Sequence, residues 1–264
     1  MSDHQPVTPV PSATILLVRD GPSGVEVFMV KRHYQIDFAS GALVFPGGKA
    51  AKGDYDAALA DFTDCDPGWS AEMRALGAAA IREAFEESGI LLVRPQGSDA
   101  LLPAERLPEL DRYRVPLDKG EIGLAEMLRA EKLRLACDRL VRFAHWITPK
   151  LMPKRFDTQF FLAAAPPGHV GSHDGHESVD SVWLTPQAAI EDRRRWSIMF
   201  PTKLNLMKLS KSKTVEEALA AARNFNIVPV EPWPDRNERG AIIRIRDDAG
   251  YDQTWTLASD VQRG

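Results

Sequence analysis

Between Ile81 and Ile90 the chain reads Arg82-Glu83-Ala84-Phe85-Glu86-Glu87-Ser88-Gly89, a helical segment with three carboxylates crowded on one flank. At about 100° per residue, Glu83, Glu86 and Glu87 share an arc of roughly a third of the helix. Ile81 and Phe85 point the opposite way, as a buried stripe would. The acidic arc is costly. Glu83 and Glu87 are a like-charge i,i+4 pair, which opposes the helix by about 0.2–0.5 kcal/mol. Glu86 and Glu87 also stand in the last turn before Gly89, where the helix dipole disfavours each anion by roughly 0.3–1 kcal/mol. Arg82 offsets part of this through Glu86, but one cation does not neutralise three anions. A divalent cation would, and hard oxygen ligands at this density suit Mg²⁺ or Mn²⁺ rather than zinc.

Upstream, the apolar run Ala42-Leu43-Val44 reads as a strand and leads into Phe45-Pro46-Gly47-Gly48-Lys49. Paired glycines after a strand let the backbone turn tightly and approach a phosphate or metal closely. Gly48, five residues, Asp54, and then Arg82-Glu83-Ala84-x-Glu86-Glu87-x-Gly89-Ile90 together resemble the Nudix box, Gly-x5-Glu-x7-Arg-Glu-U-x-Glu-Glu-x-Gly-U, with U aliphatic. Two departures stand out. Asp54 occupies the first glutamate position, one methylene short, which puts its contact with Arg82 in question. The interval to Arg82 holds 27 residues, 55 to 81, where the family has seven. The insertion reads as structured: Asp66-Pro67-Gly68 is a turn, Ser70 an N-cap, and Ala71 the start of a helix running into the acidic segment.

A narrower resemblance joins Val44 to Gly48, Arg82 to Leu92, Trp146-Ile147-Thr148-Pro149 and Arg155 to Leu162. Together these look like the peroxisomal coenzyme A diphosphatase branch of the Nudix hydrolases, over roughly residues 13 to 210. The resemblance implies an α+β fold, an α/β/α sandwich around a mixed sheet with the box helix on one face.

Along the chain, residues 1–12 read as a flexible terminus, 13–195 as the Nudix domain with its insertion near 55–81, and 196–264 as a C-terminal α/β extension. Ala13 to Val18 and Val25 to Val30 read as an antiparallel hairpin around Asp20-Gly21-Pro22-Ser23-Gly24. Ile90 to Val93, Ala144 to Pro149, Gln159 to Ala165 and Val179 to Leu184 are strand candidates, the last leading into a helix opened by Thr185-Pro186. Residues 95–120 read as irregular, and Glu121 to Leu140 as a helix. In the extension, Pro201 and Thr214-Val215-Glu216-Glu217 open helices and Ala241 to Arg246 alternates as a strand. Packing on the sandwich, lining the cleft and forming a homodimer interface are all open to this extension; the sequence does not choose.

With 44% hydrophobic and 27% charged residues, the composition is that of a globular protein. No apolar run reaches the roughly 20 residues of a membrane helix. A formal charge of −4 offers nucleic acid no global attraction. Residues 1–12 lack a signal-peptide core, Val261-Gln262-Arg263-Gly264 is not a Ser-Lys-Leu-type signal, and Cys65 and Cys137 make no disulfide framework. The cytoplasm is the expected compartment.

What the resemblance implies for chemistry is hydrolysis of a nucleoside diphosphate joined to another group, through Mg²⁺ or Mn²⁺ and an activated water. The leading substrate is coenzyme A or an acyl-CoA; ADP-ribose or a dinucleotide is the rival, and a non-catalytic nucleotide sensor a second one. Glu83 and Glu87 are the expected metal ligands. Glu86 is either a third ligand or the group that orients the water, and Arg82 holds all three in place. Gly47, Gly48, Lys49 and Arg155 are expected to meet substrate, with Lys31, Arg32 and Lys154 as further phosphate contacts, Asp54 as the box acid that would meet Arg82, and Glu177 as a candidate further catalytic carboxylate. Asp180 stands near Glu177 in a segment that could carry another carboxylate. His173 and His176 look like ligands, but a loop pair without a third His or a Cys reads as solvent-exposed.

Overall fold

The central strand shows how the sheet is built. Strand β1, Val10–Gly21, buries Ala13, Ile15 and Leu17 on one face and Leu16 and Val18 on the other, so both faces need a cover. The structure, a computed structural model, describes residues 6–32, 41–173 and 178–261. After β1 come β2 (Gly24–Arg32), β3 (Leu43–Val44), β4 (Gly47–Lys49), helix α1 (Ala71–Ser88) and β5 (Val93–Pro95). Three short helices follow, α2 (Leu107–Leu110), α3 (Arg114–Asp118) and α4 (Leu124–Glu131), and then β6 (Leu133–Leu135), β7 (Val141–Ile147), β8 (Phe156–Ala164) and β9 (Ser178–Leu184). The last third holds α5 (Pro186–Glu191), α6 (Phe200–Leu209), α7 (Val215–Arg223), β10 (Pro229–Val230), β11 (Trp233–Asn237), β12 (Gly240–Arg244), β13 (Trp255–Leu257) and α8 (Ala258–Val261).

The main sheet is mixed, in the order β10-β7-β8-β1-β2-β3, with β4 added to β1 and β9 to β2. The β1–β8 and β10–β7 pairs are parallel and the rest antiparallel, including the expected β1–β2 hairpin. Helix α1 covers one face together with α4 and the inserted segments, and α6 and α7 cover the other. The fold is the expected α/β/α sandwich. Residues 200–223, read from sequence as part of an extension, thus supply its second helical layer. Trp146 on β7 anchors that layer, donating from Nε1 to the Tyr251 hydroxyl at 2.9 Å, which donates to Asn205 Oδ1 at 2.7 Å.

Several local expectations change. Residues 104–118 are not irregular but a chain of short helical turns, because Leu110 and Leu117 bury against the α1 layer and fix their phase. The long helix expected over 121–140 covers only α4. Lys132 adopts a left-handed conformation, φ 53°, and turns the chain into β6 to pair with β5. The strand expected from Ile90 starts only at Val93. The insertion is structured, as expected: Leu59 and Phe62 lie outside the sheet and pack into the α1 core. Cys65 and Cys137 are free thiols. No helix among the described residues is long and apolar enough to cross a membrane.

Candidate active site

Helix α1 starts where Ser70 Oγ accepts the Met73 amide at 3.1 Å, and ends at Gly89 in the left-handed region, φ 69°. Its acidic end is organised around Arg82, which is 7% exposed. Arg82 Nε and Nη2 meet the Asp54 carboxylate at 2.9 and 3.0 Å, Nη1 meets Glu86 Oε2 at 2.6 Å, and Nη2 also reaches Glu83 Oε1 and the Lys49 carbonyl, both at 2.9 Å. Burial alone would lower the guanidinium's pKa; Glu83, Asp54 and Glu86 outweigh it and push the value up, so Arg82 stays charged. Asp54 also accepts the Ala51 amide at 2.7 Å. The shorter acid therefore reaches its arginine, because a 3-10 turn at Lys52–Tyr55 carries it inward.

Opposite the arginine, Glu83 and Glu87 face the paired glycines. The Gly47 amide donates to Glu87 Oε2 at 3.1 Å. A Cβ on Gly48 would stand 2.6 Å from the Glu83 carboxylate, and one on Gly47 would stand 2.5 Å from the Ala13 carbonyl oxygen. Gly48 is thus required for the carboxylate's space, and Gly47 for the fit of β4 against β1.

Glu86 differs from its neighbours. It is 6% exposed, and its Oε1 is buried with no hydrogen-bond partner among the described residues. Burial is the main cause that lifts its pKa to about 8; Glu83 and Asp118 add to it, and Arg82 opposes. Among the described residues, no three Asp, Glu, His or Cys side chains form a ready-made cation cage. The donor set still fits a hard divalent cation in its chemistry. Glu83 and Glu87 abut one glycine turn, and the orphaned Glu86 oxygen is the kind of buried acceptor that a cation or its water satisfies.

Arg114 joins the site without any local motif to mark it. From α3 it donates through Nε and Nη2 to the Glu86 carbonyl at 3.1 and 3.0 Å, and through Nη2 to the Ser172 carbonyl at 3.2 Å. A cation on the last carbonyls of α1 offsets the dipole that disfavours its acids. The partnership spans 28 residues in a segment without periodicity, so only the fold brings it together.

Other expected residues separate. Arg155 is not available to substrate: it is 6% exposed, and its donors go to Thr148 O at 3.0 Å, Val7 O at 2.7 Å and Glu231 Oε1 at 2.6 Å. It ties the start of β1 to the C-terminal region. Lys49 contributes its carbonyl; its exposed side chain alternates to the sheet face opposite Gly48 and Glu83. Lys31 packs over Trp196, in the α6–α7 layer, while half-buried Arg32 alternates to the α1 face with Phe28 and Val30. Lys154 is exposed on the β7–β8 connection. Asp180 pairs with Lys31 in register, and His173 is exposed, its amide donating to Ser181 Oγ at 3.2 Å. Glu177 and His176 lie outside the described residues.

The family model for the NUDT19 Nudix domain matches residues 67–206, more than half of the chain. The chain belongs to the NUDT19 branch of the Nudix hydrolases. Among curated relatives of this NUDT19-type hydrolase, the acyl-coenzyme A diphosphatase NUDT19 of Xenopus laevis is 24% identical over 288 residues, 92% of this chain and 76% of the relative. The protein of the same name from Gallus gallus is 28% identical over 217 residues, and the match spans 65% of this chain and only 57% of the relative. Among solved structures, a Nudix hydrolase from Alicyclobacillus acidocaldarius superposes with a TM-score of 0.67 at 28% identity, covering 81% of this chain and 96% of its own.

Proposed function

We propose that this Nudix hydrolase cleaves the diphosphate of coenzyme A or an acyl-CoA, releasing adenosine 3′,5′-bisphosphate and (acyl-)phosphopantetheine. The observation that carries the reading is the Arg82-centred cluster, with Glu83 and Glu87 against the Gly47–Gly48 turn, in a chain similar to two relatives named acyl-CoA diphosphatases. Glu83 and Glu87 would hold Mg²⁺ or Mn²⁺. When bound, such an ion neutralises diphosphate charge and makes an attacking water more acidic. Arg82, buried between Asp54, Glu83 and Glu86, fixes the carboxylates in place. Glu86 offers the unpaired Oε1 either as a third ligand or as the acceptor that orients the water. Water oxygen adds to one phosphorus of the anhydride, the bridging P–O bond breaks, and the bridging oxygen leaves with the other phosphate. Arg32, on the same sheet face as α1, is the candidate cation for a substrate phosphate.

A panel of coenzyme A, acetyl-CoA, ADP-ribose and a dinucleoside polyphosphate, each with Mg²⁺ and Mn²⁺ and products identified by mass, tests this directly. The reading requires the highest kcat/KM for the coenzyme A compounds and the two stated products. Preference for ADP-ribose or the dinucleotide would replace the substrate and keep the chemistry. Nucleotide binding without turnover would make the protein a sensor.

A further inference from the structure

The buried arginines of this chain sort by their partners. Arg82, Arg94 and Arg155 are 5–7% exposed, and each has a carboxylate: Asp54 and Glu86 for the first, Asp64 and Asp138 for the second, Glu231 for the third. That is what the cost of burying a charge demands. Arg142 on β7 breaks the rule. It is half-buried, and among the described residues its Nε is buried without a partner and its guanidinium reaches only Gln159 Oε1, at 3.4 Å. Among the described residues no carboxylate stands within ion-pair distance of it.

Its position gives this a use. Val141 and Phe143 pack into the α6–α7 layer, so Arg142 between them projects to the face that carries α1, level with Phe161 of that core. One rung of the sheet runs across this face as Pro229, His145, Gln159, Ala13 and Gly48. At its far end Gly48 abuts the Glu83 carboxylate. Gln159, which touches Arg142, is thus two strands from Gly48; Arg142 itself lies on the third strand and two residues along, level with Phe161, a backbone separation of roughly 16 Å at about 4.8 Å per strand and 3.3 Å per residue. Asp157, the nearby acid on the same face, is taken by His145, Nε2 to Oδ1 at 2.5 Å. Among the described residues this strip supplies no anion to Arg142.

We propose that Arg142, steadied by Gln159, binds a phosphate monoester on the nucleoside half of the substrate while the diphosphate lies at the Glu83–Glu87 turn. This rests on the coenzyme A reading, whose 3′-phosphate is such a group, and it replaces the role expected of Arg155. A charge-assisted contact of this kind corresponds to about a tenfold to hundredfold preference for the phosphorylated nucleoside.

The test is a pair of ligands differing by that phosphate, adenosine 3′,5′-bisphosphate and AMP, titrated calorimetrically into the full chain, its Arg142→Gln variant and its Arg142→Lys variant. The wild type should prefer the bisphosphate by about tenfold or more; R142Q should bring the ratio near one, and R142K should keep part of it. In turnover, the ratio of kcat/KM for coenzyme A over dephospho-coenzyme A should collapse in R142Q through KM rather than kcat. Thermal melts within a few degrees of wild type show that the variants fold. A wild-type protein without the preference, or an R142Q protein that keeps it, overturns the proposal. If the wild type binds the bisphosphate in an Arg142-dependent way yet hydrolyses no coenzyme A, the site stands and the substrate reading fails.

Discussion

Arg82 and Asp54 meet in a two-point contact, at 2.9 and 3.0 Å, although 27 residues separate them in the chain. The insertion has lengthened the loop and left the arginine–acid pair intact. Asp54 is 3% exposed, so its cavity is filled. Asp54→Glu, which restores the residue usual in the family, should destabilise by about 1–3 kcal/mol because an added methylene overpacks the site. Asp54→Asn leaves Arg82 short of one acid. It should cost near the lower end of the roughly 3–5 kcal/mol typical of a broken buried pair, since Glu83 and Glu86 remain. Urea denaturation of both variants checks the order; D54E at wild-type stability would mean the pocket has slack.

The two glycines should fail differently. Gly47→Ala drives a methyl against a backbone carbonyl of β1 and should lower stability by about 1–3 kcal/mol. Gly48→Ala drives it against the end of the Glu83 side chain, which can swing away. Its stability should therefore stay within about 1 kcal/mol of wild type while turnover drops at least about tenfold, because the carboxylate is displaced. Melting curves beside initial rates separate the two. Equal effects of both on stability would refute the assignment of space at Gly48.

With divalent ions chelated, Glu86 gives stability a pH dependence of unusual sign. Its carboxyl titrates near 8 in the folded chain, against an ordinary 4.5, so the folded state binds the proton more tightly than the unfolded. The contribution is fully present below the unfolded value and is lost as pH rises through about 8. The melting temperature in chelator should fall between pH 5 and 8.5, and Glu86→Gln should flatten that fall. An identical slope in wild type and E86Q would show that Glu86 does not carry the effect.

Arg114→Met removes two hydrogen bonds to the Glu86 carbonyl and the cation at the end of α1. It should cost about 1–3 kcal/mol. Apparent metal affinity should weaken as well, as the acidic turn loosens, and Arg114→Lys should restore part of the stability. Metal titrations of activity, run beside the melts, test the second effect; an unchanged midpoint would make Arg114 a structural residue only.

The box was legible because its information is local. Helix period, Ser70 cap and Gly89 stop all lie within one run, and they place α1 within a residue. The sequence also showed that the acids strain the helix, but not how the strain is met. That depends on Asp54, the Gly47 amide and Arg114, each brought in by a turn or short helix without periodicity. Arg155 misled for the same reason. A strand-opening arginine beside the expected cleft looks free until Val7 and Glu231, far away in sequence, fold over it. The second helical layer was visible as helices, but only the two-faced burial of β1 shows that the sandwich requires it.

On the proposed reading, Glu83 and Glu87 hold the ion that diphosphate cleavage requires. Turnover of coenzyme A by Glu83→Gln and Glu87→Gln, measured across a Mg²⁺ and Mn²⁺ titration with folding confirmed by melting, addresses it most directly. Glu83 pairs with Arg82 at 2.9 Å, so E83Q exchanges relief of like-charge strain for a weakened ion pair and should stay folded. Each variant should lose at least about a hundredfold in turnover, and part of that loss should return at high metal concentration. A folded variant with near-wild-type turnover and an unchanged metal midpoint would contradict the account.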